Sequence, residues 1–425
     1  MNDTCDIAII GGGAAGLAAA IFAAQTNRQK HVVILDGAKS IGAKILVSGG
    51  ARCNVTHDYI APNDYNAPAH FVRHVLAAFD EQDAVAWFAE MGVDLKREET
   101  GKLFPVTDSS KTVLAALLRR CEQLKVEIKQ SCRVVKVEAR DRSADGATPR
   151  AAFLISHNQG ELLANKVIMA TGGRSLPLTG SDGAGWAMVK VLGHTVTPTY
   201  PALVPLILES SFFHADLSGL AMEVELSTFA KGKRIDHRTG SLLWTHFGIS
   251  GPVVMDASRH WVITHANGQD AQMKCSLLPG RDFAAVEKLL IDRAAQAPKR
   301  PLSAALADQL PGRMVQAIIE SVWLNPSTPL GQVSREDRRA LVHALTALVL
   351  PVVRDRGWNY AEVTAGGVPV NEVHHRDLQS RLIPGLFLIG EMLDCDGRIG
   401  GFNFQWAWST GFLAGTAAAK DANVQ

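Results

Sequence analysis

Cysteine is scarce in this chain of 425 residues: six are scattered at positions 5, 53, 121, 132, 275 and 395. No two stand in a CxxC spacing, so neither a disulfide-reductase pair nor a zinc ribbon is encoded, and no metal site is expected. Cysteines scattered in this way fit buried apolar residues of a reduced, cytoplasmic protein. An excess of charge is missing too: 43 Lys and Arg stand against 42 Asp and Glu, a net charge of +1. That balance argues against a strongly basic surface, so no nucleic-acid partner and no anionic membrane are expected. No apolar run reaches the roughly 18 residues of a membrane-spanning helix, so no integral membrane association is expected. The nearest candidate, 341–353, is broken by His343 and Pro351 and reads as a core helix. Asp3 and Asp6 lead straight into an apolar strand, without a secretory or transit-peptide pattern. Internal repeats and low-complexity segments are also absent. What remains is an ordinary globular composition, 47% hydrophobic and 20% charged, long enough for two or three domains.

Against these absences, one segment stands out. Residues 7–16 read Ile-Ala-Ile-Ile-Gly-Gly-Gly-Ala-Ala-Gly, and Asp36 follows at the end of a second apolar strand, 31–35. A strand running into a glycine turn that opens a helix is a dinucleotide-binding arrangement. Gly11 serves the tight turn, Gly13 admits a pyrophosphate, and Gly16 lets the helix pack on the strand. The helix N-terminus offers free N–H groups and a positive dipole end to the phosphates. Asp36 stands where a carboxylate accepts ribose hydroxyls. The motif by itself does not separate FAD from NAD.

The rest of the chain narrows the choice. Helical patterns are expected at 67–79, 81–91 and from Ser109 or Ser110 to about 124. β-like runs follow at 126–129, 133–139, 151–157 and 162–169, with a polar hairpin connection at 141–150. This is similar to the β-meander inserted in FAD-type nucleotide domains. Prolines at 198–205 mark a crossing into a second domain. The pattern is extended near 223–230 and 272–277, helical from 282 to 350, and extended again at 362–373. A short strand at 386–389 precedes a last helix expected to begin at Ser409. The nucleotide domain is therefore read as discontinuous, 1–193 with 361–425. An inserted β-rich domain takes 194–281 and 346–360, and a small helical domain takes 282–345.

Five further motifs, and the loop that carries Arg398, bear on chemistry. In the loop 42–54, Gly49 and Gly50 bring backbone close to a flat or charged group, Lys44 and Arg52 can neutralise pyrophosphate, and Asn54 can bond a ring edge. The strand 167–169 ends in Ala-Thr171-Gly172-Gly, where FAD proteins bring the chain back beside the dinucleotide. The strand ending in Gly390-Glu391 precedes Gly-Gly401-Phe-Asn403-Phe404-Gln405 and a helix whose positive end would stabilise a reduced, anionic flavin. Gly366 and Gly367 can pass backbone near the ring. In Trp-Thr-His246-Phe-Gly-Ile-Ser-Gly-Pro, Ser250 reads as a helix cap with Pro252 just inside. His246 is then either a packed structural histidine or a proton donor beside the flavin. Arg398 is either a solvated loop residue or the holder of an anionic substrate group.

Together GGGAAG, SGGARCN, ATGG, THFGISGP, TAGGV and GEMLDCDGRIGGFNFQWAWSTG resemble the BaiN-like (YhiN-like) flavoproteins, distantly similar to fumarate-reductase flavoproteins. The resemblance spans nearly the whole chain. It implies an α/β fold: a Rossmann-like FAD-binding domain of glutathione-reductase type, with an inserted β-barrel-like part and a small helical part. It implies FAD contacts at Gly11, Gly13, Ala15, Gly16, Asp36, Lys44, Ser48, Gly49, Arg52, Cys53 and Asn54, and an adenine contact through the backbone of Val134. Thr171, Gly172, Gly390, Glu391, Asn403, Phe404 and Gln405 complete the implied site. Two departures are Asp36, where many FAD proteins carry Glu, and Ala51, where the family usually has a third glycine. The implied activity is FAD-dependent reduction of an activated C=C in a small molecule, as in bile acids of 3-oxo-steroid type. The sequence holds no second dinucleotide turn, since Gly180–Gly185 has the wrong spacing, so NAD(P)H is expected as a transient donor. The alternative is a flavin-binding sensor or a partner-fed flavoprotein. The sequence does not set the oligomeric state.

Overall fold

The structure is a computed structural model that describes residues 3–140 and 152–420; the connection read at 141–150 lies outside them. It divides into two compact units, Met1–Tyr200 with Glu362–Gln425, and Pro201–Ala361.

The first unit is built on a sheet centred on β1 (Asp3–Ile10), whose residues Ile7 to Ile10 are all buried. A strand covered on both faces reads as a continuous apolar run, as this one does. β2 (Val32–Leu35) lies parallel on one side, with Leu35 opposite Ile10. Strand Gly160–Met169 lies parallel on the other, with Met169 opposite Ile10. Glu127–Lys129 extends the sheet beyond β2, and Leu386–Leu388 runs parallel to the far end of Gly160–Met169. The near end of that strand is also the last member of an antiparallel meander with Phe153–His157 and Val134–Ala139. Its ten residues thus belong to both motifs, which is how the meander is welded to the nucleotide-binding sheet.

Helix α1 (Ala14–Thr26) is buried from Ala15 to Ala24. Its small side chains admit the C-terminal helix Phe402–Ala419 at close range. A Cβ added at Gly415 would lie 2.3 Å from the Ala19 carbonyl oxygen, and one at Gly411 would lie 2.7 Å from the Ala18 Cβ. That last helix starts at Phe402, not at Ser409. Gly401 opens it, and the apolar Phe402, Trp406 and Trp408 are buried by the first unit's core, so helix begins as soon as the glycines end.

Two segments also differ from expectation. Segment 42–54 is not a plain loop: Ala43–Ala51 is helical with a break at Ser48, Gly49 and Gly50. Segment 341–353 is not one helix. Helix Arg335–Ala347 stops, and Leu348–Leu350 and Val352–Asp355 become strands on either side of Pro351, which cannot continue a helix.

The second unit holds a seven-stranded sheet. Its order is Leu348–Leu350, Ala271–Ser276, Ala221–Ala230, Lys233–Thr245, Gly248–Ser250, Leu206–Leu208 and Val352–Asp355. The two outermost strands are neighbours in sequence, joined through Pro351, so the sheet curls back on itself without a closing ladder among the described residues. Helix Pro252–Ala266 packs on it. Pro252 is the first helical residue, as read from the sequence. The capping residue, however, is Gly251, and Ser250 ends the preceding strand. Helices Phe283–Gln296, Gly312–Ser321 and Arg335–Ala347 belong to the same unit.

Candidate cofactor site

The glycine turn connects β1 to α1. Gly11 has φ 105° and donates its N–H to the Leu35 carbonyl (2.9 Å); an added Cβ would sit 2.4 Å from the Ala170 carbonyl oxygen. At Gly16 a Cβ would lie 1.9 Å from the Gly11 carbonyl oxygen, so the helix rests on the turn itself. Gly13 is different. It caps α1 with no side-chain partner, no acidic residue occupies the first turn, and a Cβ there would meet nothing within 4 Å. An uncapped helix N-terminus facing open space is an anion site by its own physics. Asp36 closes the turn from the end of β2. Its Oδ2 accepts the Gly12 N–H (2.6 Å) and its Oδ1 accepts the Ala38 N–H (2.7 Å), and each oxygen keeps a lone pair for a hydroxyl donor.

The broken helix Ala43–Ala51 lies in the same unit. Gly49, Gly50, Ala51 and Cys53 all have positive φ, 55°, 68°, 66° and 62°. For Ala51 and Cys53 that conformation is strained, and strain of this kind is concentrated at binding loops. Ser48 Oγ donates to the Ile45 carbonyl (2.8 Å). Cys53 is fully buried, and burial pushes its thiol up to about 12, so it stays protonated. Arg52 is held by Glu98 (2.6 Å) and stacks over Phe104 at 4.0 Å. Asn54 Oδ1 and Thr171 Oγ1 are among the buried polar atoms of the unit that make no hydrogen bond among the described residues. With the uncapped α1 terminus, such orphaned atoms are what a polar, anionic dinucleotide cofactor would satisfy, and the residues present fit FAD.

A carboxylate node ties the motifs together. Glu391 Oε2 accepts from Lys44 Nζ (2.8 Å), and Oε1 accepts from Ser175 Oγ (2.8 Å), Thr364 N (3.0 Å) and Thr364 Oγ1 (2.9 Å). Lys44 also donates to Ser175 Oγ (2.8 Å). Gly173 is the only residue small enough here: a Cβ would fall 2.4 Å from Thr364 Oγ1. The sequence pointed to Lys44 and Glu391 but not to Ser175 or Thr364; Thr364 sits inside the TAGGV motif, and Ser175 follows two residues after the end of ATGG.

The C-terminal motif is similarly braced. Asn403 clamps the preceding loop through Gly397 N (2.8 Å) and Gly397 O (3.0 Å). Gln405 is fully buried; its amide accepts from Thr56 Oγ1 (2.7 Å) and donates to the Phe79 carbonyl (3.0 Å). Phe404 stacks on Trp408 at 5.6 Å. Gly401 backs onto Thr56, Gly390 onto Ala15, Gly366 onto the Pro198 carbonyl, and Gly172 onto Ser181. Val134 is buried at the start of its strand. Arg398, half exposed, pairs with Asp64 at 3.3 Å.

His246 belongs to the second unit. It is exposed in the two-residue turn between Lys233–Thr245 and Gly248–Ser250, edge-on to Phe247 at 5.2 Å.

The chain is similar to known proteins over nearly its whole length. The family described as HI0933-like protein Rossmann domain matches residues 5–417. A 3-dehydro-bile acid delta(4,6)-reductase of Clostridium scindens is 33% identical over 415 residues, 97% of this chain and 99% of that one. A ribosomal RNA dihydrouridine synthase of Escherichia coli is 33% identical over 418 residues, 98% of this chain and 97% of that one. Among solved structures, the 3-ketosteroid delta1-dehydrogenase of Sterolibacterium denitrificans aligns with a TM-score of 0.51 at 13% identity, over 98% of this chain and all of that one. A quinol-fumarate reductase aligns with a TM-score of 0.50 at 15% identity, over 99% of this chain and 71% of that one. These two likenesses concern the fold alone. On the full-length match and the Rossmann-type FAD-binding architecture together, this chain belongs to the HI0933-like family of FAD-dependent oxidoreductases.

Proposed function

We propose that this protein is an FAD-dependent reductase of a carbon–carbon double bond conjugated to a carbonyl, with NAD(P)H as transient electron donor and a small molecule as substrate. The observation that carries this reading is the pair of relatives at equal identity, 33% each. A delta(4,6)-reductase of a 3-dehydro-bile acid and a synthase of dihydrouridine name different substrates but one reaction, addition of two hydrogens across a C=C next to a carbonyl. Bound FAD would supply the two-electron hydride chemistry.

The chain's own residues then have these tasks. The N–H groups at the start of α1 hold the pyrophosphate, and Asp36 accepts from the ribose. Asn54 and Thr171 complete the polar surround, while the Lys44–Glu391 node keeps the second loop and the C-terminal motif in register. His246, whose ring is exposed, donates the proton that the substrate carbon needs after hydride addition. Arg398, steadied by Asp64, holds an anionic group of the substrate. The single dinucleotide turn supports a nicotinamide that visits and leaves. A uridine within RNA is the second substrate class, favoured by the two ribosomal RNA dihydrouridine synthases among the relatives.

Anaerobic mixing of the holoprotein with NADH or NADPH tests this. Bleaching of the flavin by one of them, reversed by a 3-oxo-steroid enone or by a uridine oligoribonucleotide, is the expected result. Flavin that stays oxidised with both donors would sink the nicotinamide-linked reading and leave a sensor or a partner-fed protein. His246→Ala should leave bleaching intact and slow reoxidation by substrate on the order of 100-fold.

A further inference from the structure

In the second unit, Ala221–Ala230 and Lys233–Thr245 form a hairpin closed by the pair Ala230 and Lys233. The turn between them is Lys231-Gly232, with φ 50° and 75°. Two positive φ values in a two-residue loop are the type I′ geometry that suits strand twist, and Asn, Asp or Gly is the usual first residue. A lysine there is held in a conformation that L side chains resist. The turn is exposed, and the strained residue places a cation there.

Three more cations follow. Lys233 and Arg234 are exposed beside the turn, and Lys274 comes from the adjacent strand Ala271–Ser276. None of the four forms an ion pair among the described residues. The nearby acids are engaged otherwise: Asp236 is taken by Arg238 (2.9 Å), on the side of helix Pro252–Ala266, and Asp270 accepts from the Gln272 amide (3.5 Å).

An aromatic ring lies among these charges. The register puts Phe229 opposite Arg234 on one side and Gln272 on the other. The next row on the same face is His237, Ser227 and Lys274, with Ser227 Oγ and His237 Nδ1 3.0 Å apart. Lys274 Nζ sits 5.0 Å from the centre of the Phe229 ring. Phe229 is half-buried, so its ring is anchored while part of it faces outward.

A sheet face with an aromatic ring between unpaired cations can stack a base and neutralise the flanking phosphates. We infer that this face, with the Lys231 turn at its edge, is a contact surface for single-stranded RNA. The proposal departs from the expectation of no nucleic-acid partner drawn from the net charge of +1, because a local cluster of cations can form on a chain whose total charge is balanced. The choice of RNA rests on the uridine reading of the substrate. The contact is measured without turnover, so its failure and the failure of the redox reading are separable.

The test is fluorescence anisotropy of the holoprotein with a labelled RNA of about 12 nucleotides, at several salt concentrations. The triple variant Lys231→Glu, Lys233→Glu, Arg234→Glu should bind about tenfold or more weakly, with a salt slope smaller by about 2. Phe229→Ala should weaken binding about fivefold or more at an unchanged slope, and Phe229→Tyr should restore it. All variants should keep the flavin spectrum and bleaching by the donor. Wild-type protein that does not bind RNA, variants that bind like wild type, or binding to phosphatidylglycerol vesicles in place of RNA would each overturn the proposal.

Discussion

Gly13 and Gly16 stand three residues apart on one turn of helix, yet a methyl group has opposite consequences at the two positions. At Gly13 it meets nothing within 4 Å, and φ is an ordinary −76°. At Gly16 it meets the Gly11 carbonyl oxygen at 1.9 Å. Gly13→Ala should therefore leave the apoprotein's unfolding free energy within about 0.5 kcal/mol of wild type and weaken FAD binding about tenfold or more. Gly16→Ala should cost the apoprotein about 1–3 kcal/mol by overpacking. Urea unfolding of the apoprotein, paired with a flavin titration, separates the two; equal losses of stability would contradict the assignment of Gly13 to the phosphates. Both glycines were legible from spacing, because a strand–turn–helix needs them at fixed offsets. What Lys44, Arg52 and Arg398 bind was not legible. Their carboxylate partners Glu391, Glu98 and Asp64 lie 347, 46 and 334 residues away, and no local pattern links charges across such distances.

Elements were legible where one period dominated. The helices Ala69–Ala78, Glu81–Glu90 and Ser110–Gln123 fall within a few residues of their expected bounds. The long strand Lys233–Thr245 was missed, because most of it is exposed and polar and gives no alternation to read. Its inward side meets helix Pro252–Ala266 in a charged seam that makes a prediction of its own. His260 Nε2 lies 3.2 Å from Arg238 Nη2 and 3.5 Å from Asp236, and Arg238 reaches Asp256 at 3.6 Å. Burial lowers the imidazole to about 4; Asp236 opposes the shift, and Arg259 and Arg238 add to it. The unfolded chain takes up this proton near pH 6.5 and the folded chain only near pH 4. Between those values the unfolded state binds more protons, so stability is full above pH 6.5 and falls as the pH drops toward 4. The loss is on the order of 1–3 kcal/mol. His260→Phe should flatten that limb in denaturant titrations run from about pH 7 to about pH 4; an unchanged slope would assign the acid sensitivity to other groups.

At the scale of the whole molecule, the C-terminal strand Leu386–Leu388 and helix Phe402–Ala419 lie in the same compact unit as β1. Helices Phe283–Gln296, Gly312–Ser321 and Arg335–Ala347 cluster with the β-sheet of Pro201–Ala361 as one unit. Pro-punctuated helices and polar strands read as separate segments in sequence, but helix Arg335–Ala347 packs against both Phe283–Gln296 and strand Ala271–Ser276. This division sets where FAD should act. Every FAD contact inferred above lies in Met1–Tyr200 or Glu362–Gln425, and a ligand stabilises the body it binds by about 2.7 kcal/mol at a hundredfold excess over Kd. Hydrogen exchange with and without FAD should therefore show its largest gains in protection at residues 11–16, 44–54, 171–175 and 390–405, tied together by the Glu391 carboxylate. Amides of the hairpin Ala221–Thr245 should change little. Glu391→Gln should keep the first of these segments protected and lose part of the gain in the others, because the amide cannot hold Lys44, Ser175 and Thr364 at once. Protection gained chiefly within Pro201–Ala361 would move the cofactor to the other unit and remove the basis for the node.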